Sequence, residues 1–474
     1  YNTGKLPKIS DTHFFGNHLV SVEGQAFGGA IWTNKTLSII GSTRPTLDST
    51  ITIVGKHSDI TSDTNAFTSF IENYAIANST SVYGGAIYTS AALTVDKALF
   101  LGNYITHNGT NVTTYGGAIA LMGGTSSFSN SLFLGNYAMS TSGMARGGAV
   151  LLKDTTLNLN NVDFTANVTG GMKNGLSDLA GILDVSYTKT TTSKTETISK
   201  INTSITYNTY TVSSLSYANH FATTDISDIN ATYNVFRTAV NSGKLFGDRY
   251  ARGGAIGTDT NATVTATNTN FISNVTIGDA GSVIYLYRSS SFTAVDTLFE
   301  GNTTLGYDTV SGAVYSYVAN IPKIAGTLGT NKSKFNLNSA ISIKGSALGG
   351  ALYNEAGGTI GKIINTDFTN NYVIGKFVAP SGVTTRTRFD SRSASNWVAN
   401  ANPTTESFYS TALGGAIYNK TKNLLMLYGT DTDGNIVNQT VNSHYFISGN
   451  FTATLNAAGT AIDEASLTRQ AIWM

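Results

Sequence analysis

The sequence predicts an all-β chain, a parallel β-helix solenoid wound in coils of about 31 residues, with a right-handed coil as the expectation and two excursive insertions. Three observations predict it. Phe-x-x-Asn recurs at Phe70, Phe100, Phe133 and Phe164, with steps of 30, 33 and 31 residues, and places Asn73, Asn103, Asn136 and Asn167 in phase. Gly-Gly-Ala followed by an aliphatic residue alternates with it, at Gly84-Gly85, Gly116-Gly117 and Gly147-Gly148. Ahead of each Phe runs a short alternation of apolar and polar residues, as in Leu93-Thr-Val95 and Leu157-Asn-Leu159. A fixed period of this size marks copies of one unit stacked on each other. Alternation marks a half-buried strand.

Each part of the unit has a physical role. The Phe points inward and is core. The diglycine makes a tight corner, because glycine tolerates positive φ and close backbone approach, and the aliphatic and often aromatic pair after it (Ile87-Tyr88, Leu352-Tyr353, Ile417-Tyr418) enters a second strand. The Asn sits at a turn that its amide supports, and copies one strand spacing apart are placed to bond as a ladder. One period accommodates two or three strands with their corners. Helical repeats would need apolar spacing of three and four, and propeller blades would need two-residue hairpin turns, which are few here.

Along the whole chain Phe-x-x-Asn stands at Phe14, Phe70, Phe100, Phe133, Phe164, Phe271, Phe299, Phe335 and Phe368, and Gly-Gly-Ala at Gly28, Gly84, Gly116, Gly147, Gly253, Gly349 and Gly414. Ala180-Gly-Ile-Leu183, Gly281-Ser-Val-Ile284, Ser311-Gly-Ala-Val314 and Gly459-Thr-Ala-Ile462 read as degenerate copies. The alternation of the two tetrapeptides resembles the hallmark repeats of the chlamydial polymorphic outer-membrane proteins and of adhesin-like autotransporter passengers. That resemblance covers nearly all of the chain. It implies a secreted or cell-surface β-helical passenger that attaches to a host or neighbouring cell through a receptor or glycan.

Composition narrows the partners. Charged residues are 12% of the 474 and the formal net charge is +1, which favours neither nucleic acid nor an acidic substrate. The absence of cysteine removes disulfides and thiolate chemistry and suits an exported protein stabilised by repeated packing. No apolar run approaches the roughly 20 residues of a membrane helix, so no direct span is expected in this chain. Tyr1-Asn-Thr-Gly-Lys5 is not a signal peptide, and nothing after Gly459 resembles an outer-membrane barrel, so the chain reads as a processed or truncated product whose anchor lies elsewhere. Sequons such as Asn108-Gly-Thr110 are no more frequent than chance gives with this much Asn, Ser and Thr.

In order, residues 1–185 read as coils, beginning with a strand near Ile9 and including one irregular coil with strands at Leu37–Ile40 and Ile51–Val54. Residues 186–250 read as an insertion. A Thr-, Ser- and Tyr-rich hairpin over Thr188–Tyr217 is followed by a short helix in which Ile229, Tyr233, Phe236 and Val240 fall at helical spacing behind a capping Asp228. Coils resume over 251–375, a second insertion loop spans 376–411, and 412–474 form terminal coils with an out-of-step Phe446/Asn450 pair.

Catalytic and cofactor chemistry have little support. A glycosidase or lyase on a solenoid needs carboxylates one period apart, yet Asp96 has Ser129 and Asn160 at its equivalent positions. Asp431-Thr-Asp433-Gly-Asn435 opens like a calcium loop, but Asn442 stands where the bidentate acid belongs, so a polar turn is the plainer reading. The six His show no zinc spacing. No enzyme activity, cofactor or metal is therefore expected. Candidate surface-binding residues are Arg386, Arg388, Arg392 and Trp397, suited to stacking on a sugar or gripping a carboxylate or sulfate, with a solvated loop as the plain alternative. Outward Tyr88, Tyr353 and Tyr418 offer an aromatic stripe for glycans, with Tyr common on exposed sheets as the plain alternative. Besides attachment, head-to-tail self-association into a filament or sheath is the second expectation, since open strand edges at the ends of a β-helix invite pairing.

Overall fold

The chain is a parallel β-helix. A computed structural model describes residues 8–54, 67–109, 112–198, 203–247, 250–307, 310–327, 333–355, 357–376, 412–419, 426–430, 436–438, 447–448, 450–456, 458, 460–468 and 472–473. One coil shows the pattern: Ile87–Thr89 after the diglycine corner, then Leu93–Asp96, Ala98–Leu101, Tyr104–His107 and the short Thr114–Tyr115, which leads into the next corner. The coil thus holds five short strands where two or three were expected. The extra strands arise because single residues suffice to turn the chain.

Those single-residue corners follow a rule. Lys97, Asn130, Asn161, Asn268, Asp296 and Asn365 have φ between 44° and 58°, each three residues before a repeat Phe. Gly102, Gly135, Ala166, Ser273, Gly301, Leu337 and Asn370 also have positive φ, each just before a ladder Asn. Asn, Asp and Gly predominate because the left-handed region is cheapest for them.

Successive coils stack strand on strand. The sheets that continue Ile87–Thr89 and Ala98–Leu101 have ten strands each, and those that continue Leu93–Asp96 and Tyr104–His107 have eleven. Phe14, Phe70, Phe100, Phe133, Phe164, Phe271, Phe299, Phe335 and Phe368 are in register. Their rings form one column with centroids 4.2–5.2 Å apart. Burying each ring is worth about 1.5–3 kcal/mol. Ile87, Leu93, Val95 and their equivalents complete this core.

The Asn ladder is continuous beside it. Asn17, Asn73, Asn103, Asn136, Asn167, Asn274, Asn302, Asn338 and Asn371 each pass an amide N–H to the Oδ1 of the next, ending on Asn450, at 2.8–3.0 Å. From Asn73 on, the same amide also donates to the carbonyl of a Phe one coil back, as Asn103 does to Phe70 at 2.8 Å. The second role supports the corner.

At the diglycine corners the first Gly has positive φ, as at Gly116 (76°), and the second abuts backbone. A Cβ on Gly117 would stand 2.0 Å from the Gly148 carbonyl oxygen. Gly281–Ile284 and Ser311–Val314 make genuine corners in register with Ile256.

Several expectations are corrected. Ala180–Leu183 ends no coil: Val150 pairs directly with Ile256, and Leu183 opens a hairpin. Ile462 lies on an antiparallel strand opposite Leu455, and it is Ile472 that pairs with Ile417. Asn450 is in step after all, because Ile447, not Phe446, pairs with Phe368. Ile51–Val54 belongs to no coil and pairs antiparallel with Thr209–Val212. The Leu93–Asp96 and Tyr104–His107 sheets each end on an antiparallel strand, Ile436–Asn438 and Ile462–Thr468, a different edge from the one a stacked parallel coil presents. Among the described residues no helix is long and apolar enough to cross a membrane.

The 186–250 insertion folds back onto the column. Leu183–Ile198 and Thr203–Asn219 form an antiparallel hairpin, followed by a helix over Ile226–Asn241. The helix cap is Asp225, which accepts from the backbone N–H of Ser227 and Asp228; Asp228, the expected cap, lies in the first turn. The sequence offered two acids three residues apart, and the one that leaves Ile226 inside the helix is used.

The hairpin runs lengthwise over the corners before the ladder Asn. Asn219 donates to the Gly301 carbonyl at 2.6 Å, Val185 lies over Gly135, Tyr187 donates to Glu72 at 2.6 Å, and Tyr210 stacks on Phe15 at 4.9 Å. Toward the other end Tyr372 donates to the Phe221 carbonyl and Asn230 accepts from the Ile462 backbone. Leu99, Leu101, Leu132 and Leu134 point outward and are buried beneath this strap with Leu183, Val212, Tyr233 and Phe236, a second core outside the coils. Replacing Ser186–Ser216 by an Asn-Gly turn should leave the coils formed but uncover that flank. Amide exchange in the coil around Phe14–Ser21 is then expected to rise about tenfold or more, while protection around Phe299 is kept.

Candidate functional site

Arg386, Arg388, Arg392 and Trp397 lie outside the described residues, as do Asp431–Asn435. Of the outward tyrosines, Tyr88 is half-buried against Phe27, Trp32 and Tyr83. Tyr353 and Tyr418 are only 3% and 7% exposed. They stack in a row Tyr285–Tyr315–Tyr353–Tyr418, at 5.3, 4.9 and 5.1 Å, and pack with Leu348. An exposed stripe is therefore not formed at Tyr353 and Tyr418. In-register rings one strand spacing apart cover each other's faces.

A charged cluster interrupts the aromatic line on the short-strand sheet, where Phe27, Tyr83, Tyr115, Arg146 and Arg252 occupy equivalent positions. Arg146 bonds Asp259 at 3.0 Å and lies over the Tyr287 ring at 5.0 Å. Arg252 grips Asp279 at 2.7 Å, donates to the Tyr285 hydroxyl at 2.8 Å and covers its ring at 4.8 Å. Arg146 fits because Gly257 is the residue beneath it, where a Cβ would lie 3.1 Å from that of Arg146. Both cations are committed to partners, so the cluster seals the column where aromatics are missing.

The third aromatic line borders a cleft. His18, Tyr74, Tyr104 and Tyr137 follow the ladder Asn of four successive coils and stack at 5.0, 4.8 and 4.9 Å. Beside them the corner residues Gly16, Gly102 and Gly135 carry no side chain, and the strap stands over the opening with Val185 and Tyr187, joined by Leu176 of the turn Gly175–Leu179. The space between is about 490 Å³. Glu72 lies in this cleft, where its carboxylate accepts from the Tyr187 hydroxyl at 2.6 Å and from Lys189 Nζ at 2.7 Å. Gly175 closes over Tyr137. Burial pushes the Tyr104, Tyr137 and Tyr187 hydroxyls up from the ordinary tyrosine value, with the Glu72 charge adding to it, so all three stay protonated, Tyr187 giving its one hydrogen to Glu72.

This cleft was not anticipated, although its signal is in the chain. Tyr follows the ladder Asn in three consecutive repeats, at Asn73-Tyr74, Asn103-Tyr104 and Asn136-Tyr137. What the repeat does not disclose is the wall, since Tyr187 comes from the strap. Elsewhere, buried His107 is held between Ser140 Oγ at 2.9 Å and the Gly109 carbonyl at 2.7 Å, and burial lowers its pKa. Among the described residues no group of three or more His, Asp or Glu is placed to hold a metal ion. Compared with family models, curated proteins and solved structures, the chain finds no match in any of the three.

Proposed function

We propose that the chain is an exported, adhesin-like protein of the polymorphic outer-membrane type, displayed at a cell surface, whose column is a stiff stalk attaching to a receptor or glycan on a host or neighbouring cell. The observation that carries this reading is the lengthwise strap. A stack of coils joined only edge to edge frays from its ends, whereas this one is tied from Phe15 to Tyr372 by its own insertion. Such bracing suits an element loaded along its axis. Attachment surfaces under this reading are the tyrosine-lined cleft and the Arg386, Arg388, Arg392 and Trp397 segment.

The test is adhesion to surfaces coated with the purified chain, using epithelial and microbial cells. Coated surfaces are expected to retain at least one cell type above an albumin control. The double variant Arg388→Ala/Trp397→Ala, with unchanged circular dichroism, is expected to retain fewer cells. A coat that holds no cell type in the panel would overturn the proposal.

A further inference from the structure

The cleft between the tyrosine row and the strap has a definite chemistry. Because Tyr74, Tyr104 and Tyr137 stack face to face, their ring faces are spent on one another. What they turn to a ligand is ring edge and hydroxyl, repeated once per coil, roughly every 4.8 Å along the axis. A matching partner is elongated, lies along the column and carries hydroxyls or ether oxygens at regular intervals.

Charge narrows the choice. Glu72 carries the cleft's negative charge, and Lys189 and Tyr187 already satisfy it. Neither an anionic nor a cationic ligand would find an unanswered charge there. Tyr187, Val185 and Leu176 supply apolar contact and Asn174 and Ser177 add polar groups, a mixed polar and apolar lining of the kind sugar rings match. Gly102 leaves the floor low, while Val185 covers Gly135 and the turn at Gly175 shuts the trough at Tyr137. At Tyr74 and Gly16 the row runs on to His18, which is exposed.

We propose that this cleft binds a neutral, unbranched oligosaccharide along the column axis, with its terminal sugar seated at Tyr104. The assignment deepens the attachment reading and rests on it, because it names the ligand class that the surface would seek.

The experiment is calorimetric titration of the whole chain with neutral linear oligosaccharides, from di- to hexasaccharides of gluco-, xylo- and N-acetylglucosamine series, beside oligogalacturonates as the acidic arm. At least one neutral series is expected to bind, and affinity should stop rising with length once the trough is filled. Tyr104→Phe removes one hydroxyl and should weaken binding about tenfold with no change in melting temperature. Gly102→Asn puts a side chain into the trough at a corner whose counterpart, Asn370, has the same conformation (φ 60° and 57°), and should abolish binding in a folded protein. No binding by any neutral series, tighter binding of the acidic arm, or binding indifferent to both substitutions would each overturn the assignment. Cell attachment separates the two proposals: if cells adhere equally to wild-type and Gly102→Asn coats, the cleft assignment falls and the attachment reading stands.

Discussion

Replacing Asn136 by alanine is expected to lower the stability of the column by about 3 kcal/mol. Asn136 Oδ1 accepts both the backbone N–H of Asn103, at 3.0 Å, and its amide, at 2.9 Å. Its own amide donates to the Phe100 carbonyl and to Asn167, both at 2.9 Å. All of these groups are buried, and an alanine leaves the Asn103 N–H without an acceptor while two oxygens each lose a donor. Asn136→Asp keeps the acceptor but turns a buried charge toward those same oxygens, so it should be no better tolerated. Asn17→Ala, at the first rung of the ladder and exposed, should cost about 1 kcal/mol. Urea unfolding of the three variants measures the order; an Asn136→Ala loss no larger than that of Asn17→Ala would contradict the ladder's role.

Gly117→Ala is expected to cost more, about 4 kcal/mol or enough to prevent folding. No positive φ is involved here, so the cost is steric. The new Cβ would meet the Gly148 carbonyl oxygen at 2.0 Å and Tyr137 backbone atoms at 2.6 and 2.7 Å. Backbone of two coils would have to part, and with it the corner that every later coil copies. Gly24→Ala provides the control, since its nearest neighbour is Ser21 Oγ at 3.4 Å, and it should change the unfolding midpoint very little. Soluble yield and melting temperature decide between them.

What the sequence disclosed and what it hid divide along a physical line. Anything stacked on a copy of itself was legible, because one coil's contact with the next repeats at a fixed interval. Phe100 meets Phe133 as Phe133 meets Phe164, and Asn103 meets Asn136 as Asn136 meets Asn167. Contacts made once leave no period. The strap was legible as a hairpin and helix, yet its docking was not, since outward Leu99, Leu101, Leu132 and Leu134 read as part of an ordinary apolar strand. Ile51–Val54 looked like a coil strand for the same reason, its apolar alternation being equally suited to the hairpin edge it joins. Ile447 escaped notice because register, not the Phe side chain, defines that position. Of the candidate site, the tyrosine row was written in the repeats, while Tyr187, Glu72 and the glycine trough come together only in three dimensions.

The central claim is that successive coils stack strand on strand in fixed register, and the absence of native cysteine makes it directly measurable. Thr94 pairs with Ser127 on the outer face of one sheet, and Ser127 pairs in turn with Asn158 one coil further on. A disulfide needs Cα atoms roughly 4.4–6.8 Å apart, a separation met by neighbouring strands but not by strands two spacings, roughly 9.6 Å, apart. Under mild oxidation the Thr94→Cys/Ser127→Cys chain should close an intramolecular disulfide, seen by mass spectrometry of the linked peptides, and Thr94→Cys/Asn158→Cys should not. Closure of the second pair in preference to the first would contradict the stacked column.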